Sequence, residues 1–343
     1  MGKCEKVQYF EWFRTIAAMA VVLLHVFHGI LATTTVDKVG VSVAAIYSAI
    51  EIIFTRWAVP IFFMISGALL LDPRRRFDGK KYLTYIIRML VVLLIFGLTY
   101  CLIELFFDGE TGLPALRDAL FNLFADKSWA HMWYIYALIG LYLWLPILRP
   151  YVKESSRRMQ GAILLALFIC TICFYSINRL LHIKIFNFML VDCSLFYFLF
   201  GYYLHHYIKV NKAIIGLGLA GVGIQLFGTL HKIIIHHTLG MSFYVPASPF
   251  VVAYSMMIFL LGKKYLTKPI KESPIAFYIA KLSFGIYLIH PVFINIFYKK
   301  LGWFPYNHLC PVIFELLIFI VSLVSSALLT AILKQIPGMK KIL

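Results

Sequence analysis

The feature that most constrains this chain is a series of apolar runs, each long enough to cross a lipid bilayer as a helix. Such a helix needs about 20 mostly apolar residues. The 343-residue chain is 62% hydrophobic and only 14% charged, and its apolar residues are spread over the whole length. The sequence therefore predicts an all-α integral membrane protein, with a single membrane domain over residues 1–343 and no large soluble domain.

The apolar runs predict about ten transmembrane helices, at residues 12–31, 48–71, 82–106, 132–149, 160–177, 188–207, 212–231, 247–263, 275–298 and 309–333. Lys and Arg cluster between them, and one set of alternate connectors carries more than twice as many as the other. The positive-inside rule then predicts that both termini are cytoplasmic, and the count assigns Arg56 to the outer connectors although it falls within predicted span 48–71. This topology accounts for the net charge of +17, so we exclude nucleic-acid binding.

The longest outer connector, residues 108–131, has a helical pattern of its own. Pro114 suits a helix start, and Leu116 and Leu120 recur at helical spacing. We expect an interfacial helix on the outer membrane face between spans 3 and 4. The cysteines fall mostly within apolar runs, and the CTIC segment at 170–173 lacks a second pair. We therefore expect neither a disulfide framework nor a metal site.

The first span, FEWFRTIAAMAVVLLHVFHGI at residues 10–30, carries charged and titratable residues inside an apolar run. Arg14 and His25 are eleven positions apart, so they share one helical face with an axial separation of about 16 Å. Glu11 precedes Arg14 by one turn and can pair with it. If Arg14 lies at the cytoplasmic boundary, His25 lies near the bilayer midplane.

Two interpretations of these residues stay open at this point. Arg14 can be a snorkelling anchor, and His25 can form a hydrogen bond to a neighbouring helix. An ionisable residue within the bilayer is costly, however, and is usually functional. A near-neutral imidazole suits proton abstraction from a hydroxyl, and a cytoplasmic cation cluster suits an anionic donor. Together they favour an enzyme that uses a cytoplasmic donor and modifies a molecule on the far side.

Three further stretches place polar and aromatic side chains within or beside spans: RWAVPIFFMISGALLL at 56–71, HMWYIYALIGLYLWLPIL at 131–148 and LSFGIYLIHP at 282–291. Their residues can be ordinary packing or interface residues, or they can contact the acceptor molecule of such an enzyme. The candidates for acceptor contact are Ser66, His131, Trp133, Tyr134, Tyr287 and His290.

Other residues in the predicted spans also predict local features of the structure. Pro60 and Pro291 predict kinks or interruptions in spans 2 and 9, because proline cannot complete the helical hydrogen bonds. Gly67 predicts the close approach of another backbone. Asp192 and Glu315 lie in predicted spans 6 and 10, so we expect each to pair with a cation.

The chain resembles the acyltransferase-3 family, multi-span membrane enzymes that acylate cell-envelope glycans. The first helix fits the family's pattern of a basic residue, ten others and a histidine, at Arg14 and His25. The other three stretches resemble the family's VPxFFxxSG, HLWFLYALxxxYLxxP and SxGIYLxH segments, in the family's order. The short all-membrane form is similar to the enterobacterial-common-antigen O-acetyltransferase and intercellular-adhesin acyltransferase subtypes.

The resemblance implies O-acyl transfer by a multi-pass protein of the bacterial inner membrane, surrounded by membrane lipids. The co-substrate would be an acyl-CoA, foremost acetyl-CoA, and the acceptor a hydroxyl of an outer envelope glycan or lipid-linked sugar. His25 would act as a base or as a transient acyl carrier. Arg14, paired with Glu11, would orient His25 or contact the donor.

Donor binding is where the chain departs from the family pattern. Many members carry an Arg-x-x-Arg pair at the cytoplasmic start of the third span, but here Tyr85 takes the place of the first arginine before Arg88. Which cations hold the CoA phosphates therefore stays open. The candidates are Arg74, Arg75, Arg76, Lys81 and Arg88.

A protein of another class would also place titratable residues in its spans, namely a transporter or flippase for an envelope polysaccharide precursor. Transporters often show inverted repeats and paired interrupted helices. No internal repeat is visible in this sequence. The basic cytoplasmic edge and the midplane histidine on one helix face favour the enzyme.

Overall fold

The computed structural model describes residues 8–33, 43–75, 78–125, 127–183, 192–236, 241–308 and 310–343. Within these ranges the chain is helical and forms no strand. This fits a bilayer, where a helix satisfies its backbone hydrogen bonds within one segment. The all-α fold class predicted from the sequence is confirmed.

The described residues form fifteen α-helices. The first seven are α1 (Gln8–Thr33), α2 (Val43–Thr55), α3 (Ala58–Leu70), α4 (Gly79–Val92), α5 (Leu98–Phe107), α6 (Gly112–Phe124) and α7 (Trp133–Glu154). The others are α8 (Arg157–Leu167), α9 (Phe174–Leu181), α10 (Cys193–Tyr207), α11 (Lys212–His236), α12 (Pro249–Tyr265), α13 (Pro274–Asn295), α14 (Pro311–Leu333) and α15 (Met339–Ile342). Short π-helical turns join α4 to α5 and α8 to α9.

Eight stretches of the described chain are long and apolar enough to cross a membrane. Helices α11 and α14 leave Leu217, Phe227 and Leu328 exposed, as expected of side chains that face lipid. Two of the ten predicted spans correspond to shorter helices, because α10 has 15 residues and α12 has 17. The membrane class is therefore supported, whereas the count of ten and the cytoplasmic termini stay predictions.

The helices divide into two compact units, and each is described by itself. The first comprises residues 1–69 and 155–330, and the second comprises residues 70–154 and 331–343. In the first unit α1 packs along α13 and α2, and α11 packs along α12. Fully buried aliphatic side chains such as Val22 fill the space between these helices. In the second unit α4 packs against α7, and α5 packs against α6.

Helices α3 and α10 of the first unit cross with their backbones in contact. A Cβ atom added at Gly67 would overlap the carbonyl oxygen of Phe198, and one added at Gly201 would overlap that of Met64. Only glycine fits such a crossing, because any other residue would have to displace a main chain. The close approach predicted for Gly67 is confirmed.

The second candidate span, Ala44–Leu70, is interrupted near its middle. Helix α2 ends at Thr55 and α3 begins at Ala58, so Arg56 lies at the junction. Pro60 lies in the first turn of α3, where its missing N–H costs no helical bond. The break therefore precedes the proline, and the assignment of Arg56 to an outer connector is wrong, since the residue lies within this apolar stretch.

Two other sequence expectations concern helix ends. A helix does form in the predicted outer connector, as α6, and its location on the membrane face stays a prediction. Pro291 does not interrupt α13, which continues for four residues to Asn295 before a π-helical turn. The preceding turns therefore hold His290 on a regular helix.

Candidate active site

Two histidines from distant parts of the chain meet in the first compact unit. The ring centroids of His25 on α1 and His290 on α13 are 4.8 Å apart, with the rings inclined at 67°. His290 is fully buried and His25 is half-buried. The packing of α1 along α13 produces this contact, which unites a predicted catalytic residue with a predicted acceptor-binding residue.

Both histidines are oriented by their own helices. The Nδ1 atom of His25 lies 2.8 Å from the carbonyl oxygen of Val21, and that of His290 lies 2.9 Å from the carbonyl oxygen of Ile286. Because a carbonyl oxygen only accepts, Nδ1 carries the proton in each ring. In the neutral ring Nε2 is then the basic nitrogen, which is the form a general base requires.

The charged residues predicted at the start of α1 form an ion pair. The Nη1 atom of Arg14 donates to Oε1 of Glu11 at 2.6 Å, across one helical turn. Helix α1 is continuous from Gln8 to Thr33, so the ion pair lies on the same helix as His25. Along the helix axis, Arg14 and His25 are about 16 Å apart. The predicted pairing is observed, and the roles of the two residues in catalysis stay predictions.

The remaining acceptor candidates of the first unit lie on α3 and α13. The hydroxyl of Ser66 donates to the carbonyl oxygen of Phe62 at 2.8 Å, so it is satisfied within its own helix. The Tyr287 ring lies 6.2 Å from that of His290, one turn away. Tyr287 thus belongs to the surroundings of the histidine pair, whereas Ser66 shows no described contact with it.

The predicted donor-binding loop belongs to the second unit, and contacts with Asp72 and Arg149 hold it in place. Arg74 pairs with Asp72 through Nη2 at 2.9 Å. Arg149 of α7 donates to the carbonyl oxygens of Leu70 and Arg75. These contacts hold the start of the loop in one conformation and neutralise part of the charge of Arg74.

The other donor candidates differ in their surroundings. Lys81 is exposed in the first turn of α4, whereas Arg88 donates through Nε to the carbonyl oxygen of Ile342 at 2.7 Å and through Nη2 to that of Leu343 at 3.3 Å. Arg76 lies outside the described residues. Binding of the CoA phosphates by this set stays a prediction.

The aromatic acceptor candidates at the start of α7 also belong to the second unit. His131 is buried and packs edge-on against Tyr100, with ring centroids 5.4 Å apart. Tyr100 also stacks on Trp129, whose Nε1 donates to Glu104 at 3.0 Å. Trp133 and Tyr134 follow, with their rings perpendicular and 6.4 Å apart, and Tyr134 is buried. The structure therefore splits the acceptor candidates between the two units.

Neither of the two acids that were expected to pair with a cation forms an ion pair within the described ranges. The Glu315 side chain meets the side chain of Glu51 on α2, and Tyr306 lies beside them. Asp192 caps α10, accepting a hydrogen bond from the backbone N–H of Cys193 at 2.6 Å. The expectation is wrong because a second carboxyl group and a tyrosine are the partners of Glu315, and a helix start is the partner of Asp192.

Arg56 is the residue that sequence reasoning missed most clearly. Its charge acts on both His25 and His28, which places it in the electrostatic surroundings of the predicted catalytic histidine. The available signal was an arginine inside a long apolar run, the same signal that singled out Arg14. Counting it with the connector charges concealed it.

Comparison with known protein families now identifies the class of protein. The acyltransferase-domain model of acyltransferase family 3 matches residues 7–333, a range that runs through both compact units. The chain therefore belongs to this family and is a multi-pass membrane acyltransferase. No curated protein and no solved structure matches it. Across the described ranges, no three His, Cys, Asp or Glu side chains converge as metal ligands.

Proposed function

We propose that this chain transfers an acyl group, foremost acetyl, from a cytoplasmic acyl-CoA to a sugar hydroxyl on the outer side of the bacterial inner membrane. The acceptor is an envelope glycan or its lipid-linked precursor, as in the enterobacterial-common-antigen and adhesin subtypes that the sequence resembles. The observation that carries the proposal is the contact between His25 and His290 inside an acyltransferase domain.

In the proposed reaction His25 is the general base. Its Nε2 takes the proton of the acceptor hydroxyl while the hydroxyl oxygen attacks the thioester carbonyl carbon. The C–S bond then breaks, and the CoA thiolate recovers the proton from the imidazolium. The hydrogen bond from Nδ1 to the Val21 carbonyl fixes the tautomer and the ring orientation that this step needs.

A transient acyl-His25 would use the same nitrogen as a nucleophile. The two routes differ in what happens when the acceptor is withheld. Labelled protein after incubation with radiolabelled acetyl-CoA alone supports the acyl-histidine route, and protein without label supports direct transfer.

The proposal is tested with the full chain in proteoliposomes, with radiolabelled acetyl-CoA on one side and an envelope glycan mixture on the other. We expect the His25→Ala variant to lose a factor of about 10² to 10⁴ in turnover, the usual contribution of a general base. The matched control is His28→Ala, one turn further along α1 and exposed, which should retain turnover within a few fold.

Two outcomes would contradict the proposal. Wild-type protein that transfers no label to any glycan would refute the acyltransferase reaction with this donor. A His25→Ala variant with wild-type turnover would refute the mechanism alone. Movement of unmodified glycan across the bilayer without acetylation would instead support a transporter or flippase.

A further inference from the structure

Arg56 lies at the break between α2 and α3, inside a stretch that is long enough to cross the membrane. Its Nε donates to the carbonyl oxygen of Tyr244 at 2.6 Å, and its guanidinium carbon lies 5.7 Å from the centre of the Tyr244 ring. No carboxylate forms an ion pair with it in the described part of the chain. An arginine inside an apolar, membrane-length stretch and without an acidic partner would be costly in a bilayer, which favours a functional role.

A second arginine adds to this positive charge. Arg179, near the end of α9, lies within electrostatic range of Arg56, and its Nη1 donates to the hydroxyl of Tyr175 at 3.0 Å. It too has no ion pair with any acid among the described side chains. Two like charges within electrostatic range repel each other, and an anion that binds to both is attracted by both.

The connector that carries Tyr244 forms one wall of the site, and hydrogen bonds from two helices hold it in place. Tyr244 is 1% exposed and belongs to the connector between α11 and α12. The Tyr197 hydroxyl donates to the carbonyl oxygen of Pro246 at 2.7 Å, and the Ser176 hydroxyl donates to that of Ala247 at 3.0 Å. Helices α9 and α10 thus hold the connector against Arg56, so the arginine has a defined orientation.

The hydrogen-bonding capacity of the cluster suits an oxyanion. A guanidinium carries five N–H donors, and the hydrogen bond to Tyr244 accounts for one of those on Arg56. Burial raises the pKa of Tyr244 to about 12, so its phenol remains protonated and neutral at physiological pH. The cluster therefore presents donors and two positive charges. Asp192 is within electrostatic range of Tyr197, but among the described residues it forms no ion pair with either arginine.

We propose that Arg56 and Arg179 bind a phosphate group of the acyl acceptor, a sugar linked through phosphate to its lipid or glycan carrier. The planar guanidinium fork matches the oxygen geometry of phosphate, and two arginines match its charge better than that of a carboxylate. Assigning the phosphate to the acceptor rests on the proposed function, whereas the anion site itself does not.

The position of the cluster agrees with an acceptor site. The charge bias of the sequence predicts that Arg179 and the Tyr244 connector lie on the outer side of the membrane, where the acceptor is expected. The charge of Arg56 acts on His25. A phosphate held there would therefore lie within electrostatic range of the base, and we expect a hydroxyl of the attached sugar to reach Nε2.

The test uses the full chain in nanodiscs of phosphatidylcholine, with binding followed by calorimetry and by thermal stabilisation. The probes are glucose 1-phosphate, glucose and inorganic phosphate. We expect glucose 1-phosphate to bind and glucose not to bind. The Arg56→Gln and Arg179→Gln variants should each weaken glucose 1-phosphate binding at least tenfold, whereas Arg117→Gln, an exposed arginine of α6, should leave it unchanged.

Each outcome bears on the proposal. Wild-type protein that does not bind glucose 1-phosphate, or an Arg56→Gln variant that binds it equally well, overturns the site. If Arg56→Gln does not fold, Arg179→Gln decides alone. Binding of inorganic phosphate that depends on both arginines supports the phosphate chemistry.

A further measurement separates the two sources of phosphate. In nanodiscs that contain phosphatidylglycerol, unchanged affinity for glucose 1-phosphate supports the acceptor assignment. A tenfold loss of affinity shows that phospholipid headgroups occupy the site and overturns that assignment. His25→Ala protein should still bind glucose 1-phosphate, so failure of the proposed function and failure of the phosphate site are distinguishable.

Discussion

The histidine pair and the arginine pair of the first compact unit differ in charge: the first can be neutral, whereas the second is positive. His25 and His290 are each oriented by a carbonyl of their own helix, and neither needs a charge to hold its place. Arg56 and Arg179 carry two positive charges without an acid to balance them among the described residues. A neutral pair is suited to moving a proton, whereas an unbalanced cationic pair is suited to holding an anion. We therefore expect the histidine pair to carry out the chemistry and the arginine pair to anchor the substrate.

Steady-state kinetics should show this separation with the largest effects. His25→Ala should lower kcat by about 10² to 10⁴, because the base acts in the transition state. Arg56→Gln should raise the KM for the acceptor about 10- to 100-fold and change kcat by less than about threefold, because it removes binding that ground state and transition state share. An Arg56→Gln variant with a large loss of kcat and an unchanged KM would contradict the expectation that Arg56 acts in acceptor binding and not in the chemical step.

The crossing of α3 and α10 should affect the arginine pair more than the histidine pair. Gly67→Ala forces Cβ into the Phe198 carbonyl, next to Tyr197, which holds the connector at Arg56. We expect a loss of about 3 kcal/mol in stability, at the upper end for overpacking, together with a raised acceptor KM in the protein that still folds. The measurements are the melting midpoint and the acceptor titration.

The control for this crossing is Gly140→Ala. Gly140 lies on α7, and a Cβ atom added there meets nothing within 4 Å. Since alanine is the better helix former, this variant should be neutral or slightly more stable. Equal melting midpoints for the Gly67 and Gly140 variants would show that the close crossing does not limit stability.

The smallest expected effect concerns the second histidine. His290→Gln keeps a polar side chain but removes the ring that packs edge-on against His25, so we expect kcat to fall about tenfold through misorientation of the base. The KM for acetyl-CoA should not change. Ser283→Ala, which removes one hydrogen bond within the same helix, is the control. A loss as large as that of His25→Ala would mean that His290 takes part in the proton transfer itself.

Helical periodicity made some of this site predictable from sequence. Arg14 pairs with Glu11 on an unbroken helix, as their spacing requires, and His25 lies further along it. Gly67 could be predicted as a close contact because few other residues allow backbones to meet. These predictions depend on a single helix or on a single residue type, so the local sequence contains the information.

The pairings between distant segments could not be obtained in this way. His25 meets His290 because α1 packs along α13, and no local pattern contains that contact. Glu315 was expected to meet a cation but meets Glu51, since two carboxyl groups can be neighbours when they share a proton. Arg56 falls within the predicted span 48–71 yet is counted with the outer connectors, and no local pattern predicts that the helix breaks at the arginine itself.

For the engineering of acceptor range, the crossing at Gly67 and Gly201 separates positions that can vary from positions that cannot. The two helices meet main chain to main chain, so no side chain at either glycine can tune specificity. A library aimed at new acceptors should keep both glycines and vary the half-exposed positions around Arg179 and Tyr175 instead. Substitutions at the crossing would instead lower the stability of the protein.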